Sequence, residues 1–361
     1  MWYKPYGRTG KQVSAVSFGG MRFANPDDID ASAATVLHAY RRGVNYFDTA
    51  PGYCKNKSED IVGAAVKQMK PGTFYVSTKC NSAKADELRQ TLEKSLQRLN
   101  VQKIDFFHIW WVVTMEAWRQ RVAGGAIQAA LKAKEEGLIE HLVISSHMLG
   151  GELRQVLNEA PFEGVTLGYN AINFRFREDA VDAAGEKNIG VVTMNPLGGG
   201  LIPRCAERFS WIKAADDASV ISAAIRFNIS HPHITSALVG CADIAQVDEA
   251  VNAVANHNPY PREHVEKIRK MLPEAFDGLC TGCGYCLPCP EGVPIPRMMD
   301  TYNMKLLGGV NLQDHLKWHW GAAASDAANC SLCGACETRC TQHLPIRERL
   351  KEIAAIPTEK K

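Results

Sequence analysis

The sequence lacks any apolar run near the roughly 18 residues that a membrane-crossing helix needs, so no membrane span is expected. Its first residues, Met1-Trp-Tyr-Lys-Pro-Tyr-Gly7, are polar and lack the apolar stretch of a secretory signal, so the expected location is the cytoplasm. It also lacks a polybasic run. The 41 Lys and Arg against 39 Asp and Glu leave a formal charge of +2, too little for bulk attraction to nucleic acid. Arg41-Arg42 and Lys360-Lys361 read as solvated surface charge. There is no low-complexity tract, and 46% hydrophobic residues is ordinary for a globular chain. A length of 361 residues leaves room for a large barrel and a small second unit.

What the sequence does have is cysteine, crowded at one end. Cys280, Cys283, Cys286 and Cys289 form one run, followed by Pro290. Cys330, Cys333, Cys336 and Cys340 form another. Such quartets suit two [4Fe-4S] clusters, because each cubane needs four thiolates converging from a tightly turning backbone. Gly282, Gly284 and Gly334 supply the turning freedom. Structural zinc and disulfides are the alternatives. Zinc sites usually split into two separated CxxC pairs, whereas the triple spacing C-x2-C-x2-C favours iron and sulfur. Disulfides belong to secreted chains. The scattered Cys54, Cys80, Cys205 and Cys241 read as reduced thiols. In two-cluster ferredoxins the fourth cysteine of each run serves the other cluster. Three close thiolates wrap one face of a cluster and the chain then departs, a departure that Pro290 stiffens after Cys289. The second run has Thr341 at the equivalent place. The expected sets are therefore Cys280, Cys283, Cys286 and Cys340 for one cluster, and Cys330, Cys333, Cys336 and Cys289 for the other.

Ahead of the cysteines, short apolar runs alternate with amphipathic helical patterns. The candidate strands are Ala15–Gly19, Tyr46–Thr49, Phe74–Lys79, Ile104–Ile109, His141–Ser145, Val165–Tyr169, Gly190–Met194 and Ser236–Gly240. Near-continuous apolar strands are buried on both faces, as in parallel sheets. Leu88, Leu92, Leu96 and Leu99 fall on one helical face, and so do Val247, Val251 and Val254. Eight such units predict an α/β fold of the TIM (β/α)8 type, with a doubly wound open sheet as the alternative. Gly7-Arg-Thr-Gly10 predicts a hairpin turn that plugs the barrel floor. The expected organisation is a barrel with its hairpin over 1–260, a connecting helix in 261–276 and a small two-cluster unit over 277–361. Helical patterns at Arg297–Lys305 and Leu312–Trp320 make that unit mainly helical, unlike a compact β-hairpin ferredoxin.

Three strand ends carry polar residues where barrel enzymes keep their chemistry. They are Phe47-Asp48-Thr49-Ala50-Pro51-Gly52-Tyr53, Val76-Ser77-Thr78-Lys79 and Phe106-Phe107-His108-Ile109-Trp110. With these residues the chain resembles the aldo-keto reductase family, over about seven tenths of its length, and the cysteine extension resembles that family's iron-sulfur branch. The resemblance implies a catalytic tetrad of Asp48, Tyr53, Lys79 and His108. Tyr53 would exchange the proton, Lys79 would lower its pKa, Asp48 would hold Lys79, and His108 would orient the carbonyl oxygen. Alternation along a strand lets at most one of Trp110 and Trp111 face the substrate. Cys54 reads as an incidental loop thiol.

The resemblance also implies a nicotinamide site, with departures from the family pattern. Ser145 and Ser146 stand at the family's Ser-Asn position, Thr166 replaces its Gln, and Met194 replaces the aromatic that stacks on the ring. Leu197 and Gly198 begin a glycine run that would admit a pyrophosphate, and Gly240, Ala242 and Gln246 lead into a helix start that would hold phosphate. Gln246 stands where a basic residue would select NADPH, and Asp243 and Asp248 flank it, so NADH is as well suited as NADPH. Hydride moves two electrons while each cluster takes one, and FMN would couple the two. The expectation is an oxidoreductase interconverting a small carbonyl and an alcohol, with a ferredoxin or flavodoxin-type carrier as partner. The alternative is an electron-transfer or redox-sensing protein with an altered, flavin-binding barrel.

Overall fold

The computed structural model describes residues 1–275, 278–280, 282, 284, 286–309, 311–340 and 343–357. Two short strands, β1 (Tyr3–Pro5) and β2 (Gln12–Ser14), pair antiparallel across a turn at Gly7–Thr9. The barrel strands follow: β3 (Val16–Gly19), β4 (Tyr46–Asp48), β5 (Tyr75–Cys80), β6 (Ile104–Val112), β7 (Ile139–Ser146), β8 (Gly164–Gly168), β9 (Gly190–Met194) and β10 (Ser236–Val239). Each pairs in parallel with the next, and β10 closes on β3. The fold is thus a TIM barrel, and the open doubly wound alternative is set aside by the β10–β3 closure.

Period-two alternation sorts the side chains. Along β6, Phe107 and Ile109 point out into the core shared with the helices, while Phe106 points into the barrel. The helices meet the strands with their apolar faces. On Ala85–Leu99, Leu88, Leu92 and Leu99 are buried, and Leu96 packs partly buried beside them.

The barrel floor is aromatic. Tyr6, Tyr46 and Phe106 cluster there with Val143 and Val192. Tyr6 comes from the hairpin and lies 4.5 Å from Phe106, ring to ring. It fits only because Gly164 and Gly190 begin β8 and β9: a Cβ on Gly190 would stand 2.2 Å from the Tyr6 ring. The hairpin is therefore the plug that the Gly-Arg-Thr-Gly turn foretold.

A helix, Arg262–Ala275, leads from the barrel to the cysteine-rich unit, within the 261–276 stretch expected for it. That unit is helical, with Ile295–Leu306, a short turn at Leu312–Asp314, a π-helical turn at His315–Trp320 and a last helix at Ile346–Ala354. It has its own core of Val293, Met298, Met299, Leu316 and Leu350. Among the described residues, no helix is long and apolar enough to cross a membrane.

Replacing Tyr6 with Ala is expected to leave a cavity in the floor and cost about 3–5 kcal/mol of barrel stability. Tyr6→Phe keeps the ring and should cost far less. Urea unfolding of both variants, followed by far-UV circular dichroism, checks this.

Candidate active site

Above the aromatic floor lies a polar layer. Asp48, Ser77 and His108 each sit two residues beyond a floor residue (Tyr46, Tyr75, Phe106), so all point inward at one height. Lys79 comes from two residues further along β5 and turns back down. Its Nζ donates to both Asp48 oxygens at 2.5 Å and to the Thr49 carbonyl at 2.8 Å. Each side chain of this pair is 3% exposed. Burial pulls the Lys79 ammonium below its ordinary pKa, while the Asp48 carboxylate works against that.

Tyr53 lies in the loop after β4, half-buried, with Lys79 Nζ 5.5 Å from the centre of its ring. The loop is shaped by three consecutive left-handed residues, Cys54, Lys55 and Asn56, with φ of 52°, 54° and 68°. Runs of non-glycine residues there are unusual and gather where a side chain must be aimed. The expected lowering of the Tyr53 pKa by Lys79 is not what the charges produce. Burial raises the phenol pKa, the Asp48 carboxylate raises it further, and only Arg22 opposes.

His108 shares this network, its Nε2 4.0 Å from Asp48 Oδ1. It is wholly buried in the polar layer. Ser77 Oγ donates to Asp48 Oδ1 at 2.7 Å and lies 2.8 Å from His108 Nε2, which is also 3.4 Å from the Tyr46 hydroxyl. Since the Ser77 proton is directed to Asp48, His108 Nε2–H is the donor to Ser77, and Nδ1 has no partner. Burial and the nearby Lys79 charge hold this imidazole neutral, well below its ordinary pKa. The residue beside Tyr53 is instead Trp110, two positions on along β6, whose ring meets Tyr53 edge to face at 5.6 Å. The strand slips register between Ile109 and Val112, and Trp111 adopts φ 59°. Trp110 thereby turns to Tyr53, and Trp111 turns away to donate its indole N–H to the Trp318 carbonyl at 2.9 Å.

Of the residues expected to hold a nicotinamide, Ser145 and Thr166 end up buried in the barrel, and Thr166 Oγ1 has no partner. That orphaned hydroxyl fits a carboxamide. Ser146 does not serve that purpose as placed: it donates to the Val112 carbonyl and accepts from the Met148 amide, bracing the loop. Met194 and Leu197 are half-buried beside Gly198, and Gly198, Gly199 and Gly200 all take positive φ. Gln246 is engaged locally, its Oε1 accepting from the Ala242 amide at 2.9 Å while Asp243 caps its own N–H. Gly240 is the open point of this rim, and Arg22 lies over it: a Cβ on Gly240 would stand 3.0 Å from Arg22 Cγ. No motif marks Arg22, a loop residue after β3, so only the fold reveals a cation between Gly240 and Tyr53. Alternation allowed only one of Trp110 and Trp111 to face the pocket, and the structure turns Trp110 there.

In the cysteine-rich unit, a cavity is lined by Cys286 and Cys289 from the first run and by Cys330, Cys333 and Cys336 from the second. Both runs thus bring thiols to one place, as cubane ligation requires. Gly282, Gly284 and Gly334 take φ of 70°, 76° and 76°, the turning residues the spacing called for. Asn303 fixes the start of the first run by bonding both the amide and the carbonyl of Cys280. The Gly282 amide donates to Cys280 Sγ at 3.5 Å. Cys283 lies outside the described residues.

The chain is thus a closed eight-stranded barrel with an acid–lysine–tyrosine group at its C-terminal mouth. Residues 15–273 match the Aldo/keto reductase family and residues 279–345 match a 4Fe-4S dicluster domain. The chain belongs to the aldo/keto reductase family and carries a 4Fe-4S dicluster domain after the barrel. It is similar to L-galactose dehydrogenase of Arabidopsis thaliana, 30% identical over 69% of this chain and 86% of that protein. It is also similar to NADH-specific methylglyoxal reductase of Escherichia coli, 24% identical over 51% of this chain and 62% of that protein. The structure of aldo-keto reductase AKR11C1 from Bacillus halodurans superposes with a TM-score of 0.66 at 21% identity, covering 75% of this chain and 96% of that one, a likeness of fold.

Paired substitutions test the cysteine sets. If Cys289 and Cys333 serve one cluster, the double variant Cys289→Ser/Cys333→Ser should keep about half of the wild-type iron and sulfide, whereas Cys289→Ser/Cys283→Ser should lose nearly all of both. Iron and sulfide assays on anaerobically purified protein distinguish this from uncrossed ligation, which gives the reverse pattern.

Proposed function

We propose that this chain is a nicotinamide-dependent oxidoreductase that interconverts a small carbonyl and its alcohol. The observation that carries this is the Asp48–Lys79 pair, buried directly beneath Tyr53 at the barrel mouth. A bound nicotinamide supplies or takes the hydride. Tyr53 supplies the proton: with its pKa raised, it is the neutral phenol at physiological pH, the form that donates to a developing alkoxide. Lys79, fixed by Asp48 and the Thr49 carbonyl, places a cation beside the ring without a free counter-charge. Trp110 takes the wall position against Tyr53 and shapes the pocket for a small, flat substrate. Thr166 Oγ1 is suited to a carboxamide, and Arg22 over Gly240 is suited to the nucleotide's phosphates. The relatives named for a sugar and for methylglyoxal support a small polar carbonyl or alcohol as substrate.

The clusters add one-electron capacity. Their sets in this reading are Cys280, Cys283, Cys286 and Cys340, and Cys330, Cys333, Cys336 and Cys289; the approach of Cys289 to Cys330, Cys333 and Cys336 around one cavity, which Cys286 also lines, is in keeping with it. An electron-transfer role with a barrel that no longer turns over is the second reading, favoured by the engagement of Ser146 and Gln246 with backbone groups instead of a cofactor. Anaerobically purified protein, assayed with NADH and NADPH against small aldehydes and ketones, separates the two.

Tyr53→Phe is expected to lower carbonyl reduction by about 10²–10⁴-fold while nicotinamide affinity stays within a few-fold. Because the raised phenol pKa keeps the donor protonated, wild-type reduction should be flat from about pH 6 to pH 9, and alcohol oxidation, which needs the phenolate, should rise across the same range. Retained turnover in Tyr53→Phe would remove the proton-donor assignment. Arg22→Ala should weaken NADH and NADPH alike, read as their dissociation constants by fluorescence quenching.

A further inference from the structure

Away from the catalytic pocket, three side chains of the cysteine-rich unit converge. Asp300 lies on the helix Ile295–Leu306, and His315 and His319 lie one turn apart on the π-helical segment His315–Trp320. One ligand atom from each lies within 4.8 Å of the other two. π-Helical turns are rare and often found where function requires a particular side-chain alignment.

The hydrogen bonding leaves ligand atoms open. Asp300 is fully buried, and its Oδ1 has no partner among the described residues. His319 is 8% exposed, and its Nε2 has none either. The Thr301 hydroxyl donates to the Arg297 carbonyl at 3.1 Å, so it accepts from His315 Nδ1–H at 2.9 Å. This fixes the tautomer and leaves the lone pair on His315 Nε2, which stands 3.8 Å from Asp300 Oδ2, too far for a hydrogen bond. The remaining contact orients the carboxylate: Trp320 Nε1–H donates to Asp300 Oδ2 at 2.9 Å. A metal-ligating histidine with its other nitrogen held, beside a held carboxylate, is the usual outer support of such a site. Burial keeps both imidazoles neutral, His315 with a pKa near about 3 and His319 well below the ordinary value.

We infer that Asp300, His315 and His319 form a site for one divalent transition-metal ion, at the seam between the cysteine-rich unit and the barrel. Two imidazole nitrogens and one carboxylate suit zinc or ferrous iron. Ligand atoms around such an ion lie on the order of 3–4 Å apart, a small closing movement from the spacing found. The barrel side of the seam is formed by His147, just past β7, and Gly168, the last residue of β8. The His147 ring lies 4.7 Å from that of His319, and a Cβ on Gly168 would stand 3.2 Å from His319 Cε1. A bound ion would therefore stiffen the face that rests on the barrel mouth. Arg177 is the opposing charge. It is fully buried, stacks 3.9 Å over the Trp320 ring and donates to the His147 and Met148 carbonyls. Its cation disfavours a second one, and the Asp300 carboxylate offsets part of that repulsion. Without a metal, a water bridging Asp300 and His319 is the competing occupant.

The test uses the full chain, purified without oxygen, with its iron and sulfide content counted before and after. After dialysis against a chelator, Zn²⁺ is titrated in by calorimetry, and the loaded protein is examined by X-ray absorption at the zinc edge. One equivalent in a nitrogen and oxygen shell is expected, with iron and sulfide unchanged. Asp300→Asn and His319→Gln should each weaken binding at least a hundredfold while cluster content and circular dichroism match wild type. If those variants misfold, His315→Gln, at a partly exposed position, gives the same reading. No zinc uptake, a sulfur shell, or affinity unchanged in the folded variants would overturn the site and leave the bridging water as its occupant.

Discussion

The buried ion pair of Asp48 and Lys79 is the constraint around which the barrel mouth is organised. Neither charge has water to relieve it, so each must be satisfied inside. Lys79 spends its donors on Asp48 and on the Thr49 carbonyl, and Asp48 accepts further from Ser77. Ser77 in turn accepts a hydrogen bond from His108 Nε2–H, and burial with the Lys79 charge keeps that imidazole neutral. Breaking such a pair by removing one partner costs about 3–5 kcal/mol, because the other charge is stranded. Burial and the Asp48 carboxylate also set the state of Tyr53: both raise its pKa, and the phenol keeps its proton.

The cysteine-rich unit rests against the barrel through aromatic and charged contacts. Trp111 bonds to the Trp318 carbonyl, Arg297 pairs with Glu152, and Arg177 of the barrel stacks on Trp320. Gly282, beside the first cysteine, leaves no space for a Cβ, which would stand 2.9 Å from the Phe176 ring. The segment between the two cysteine runs is thus a docking surface as well as a linker. The register slip in β6 joins the two halves: one residue, Trp110, lines the pocket, and the next, Trp111, reaches the added unit.

Much of the architecture was legible in the residues. Strands buried on both faces read as apolar runs, and alternating them with helices leaves few ways to close a sheet. The cysteine spacing identified iron–sulfur ligation because cubane chemistry demands close thiolates. Asp48, Tyr53, Lys79 and His108 stood out through the family resemblance and their places at or near strand ends. That Trp110 turns to Tyr53 was not legible, since the register slip near Trp111 is not written in local composition. Ser146 and Gln246 read as cofactor contacts but are engaged by the Val112 carbonyl and the Ala242 amide, partners set by loop paths.

By itself the sequence determined the barrel, the helical cysteine-rich extension and the chemistry available to each, because alternation, periodicity and ligand spacing are local properties. Tertiary structure alone decided which charges meet. Arg22 comes to Gly240 across more than 200 residues of chain, Asp300 joins two histidines a helix away, and Trp110 rather than His108 stands against Tyr53. Those juxtapositions depend on barrel closure, on the stagger between neighbouring strands and on how the added unit docks. Each is a sum of many long-range contacts, and no short stretch of residues encodes it.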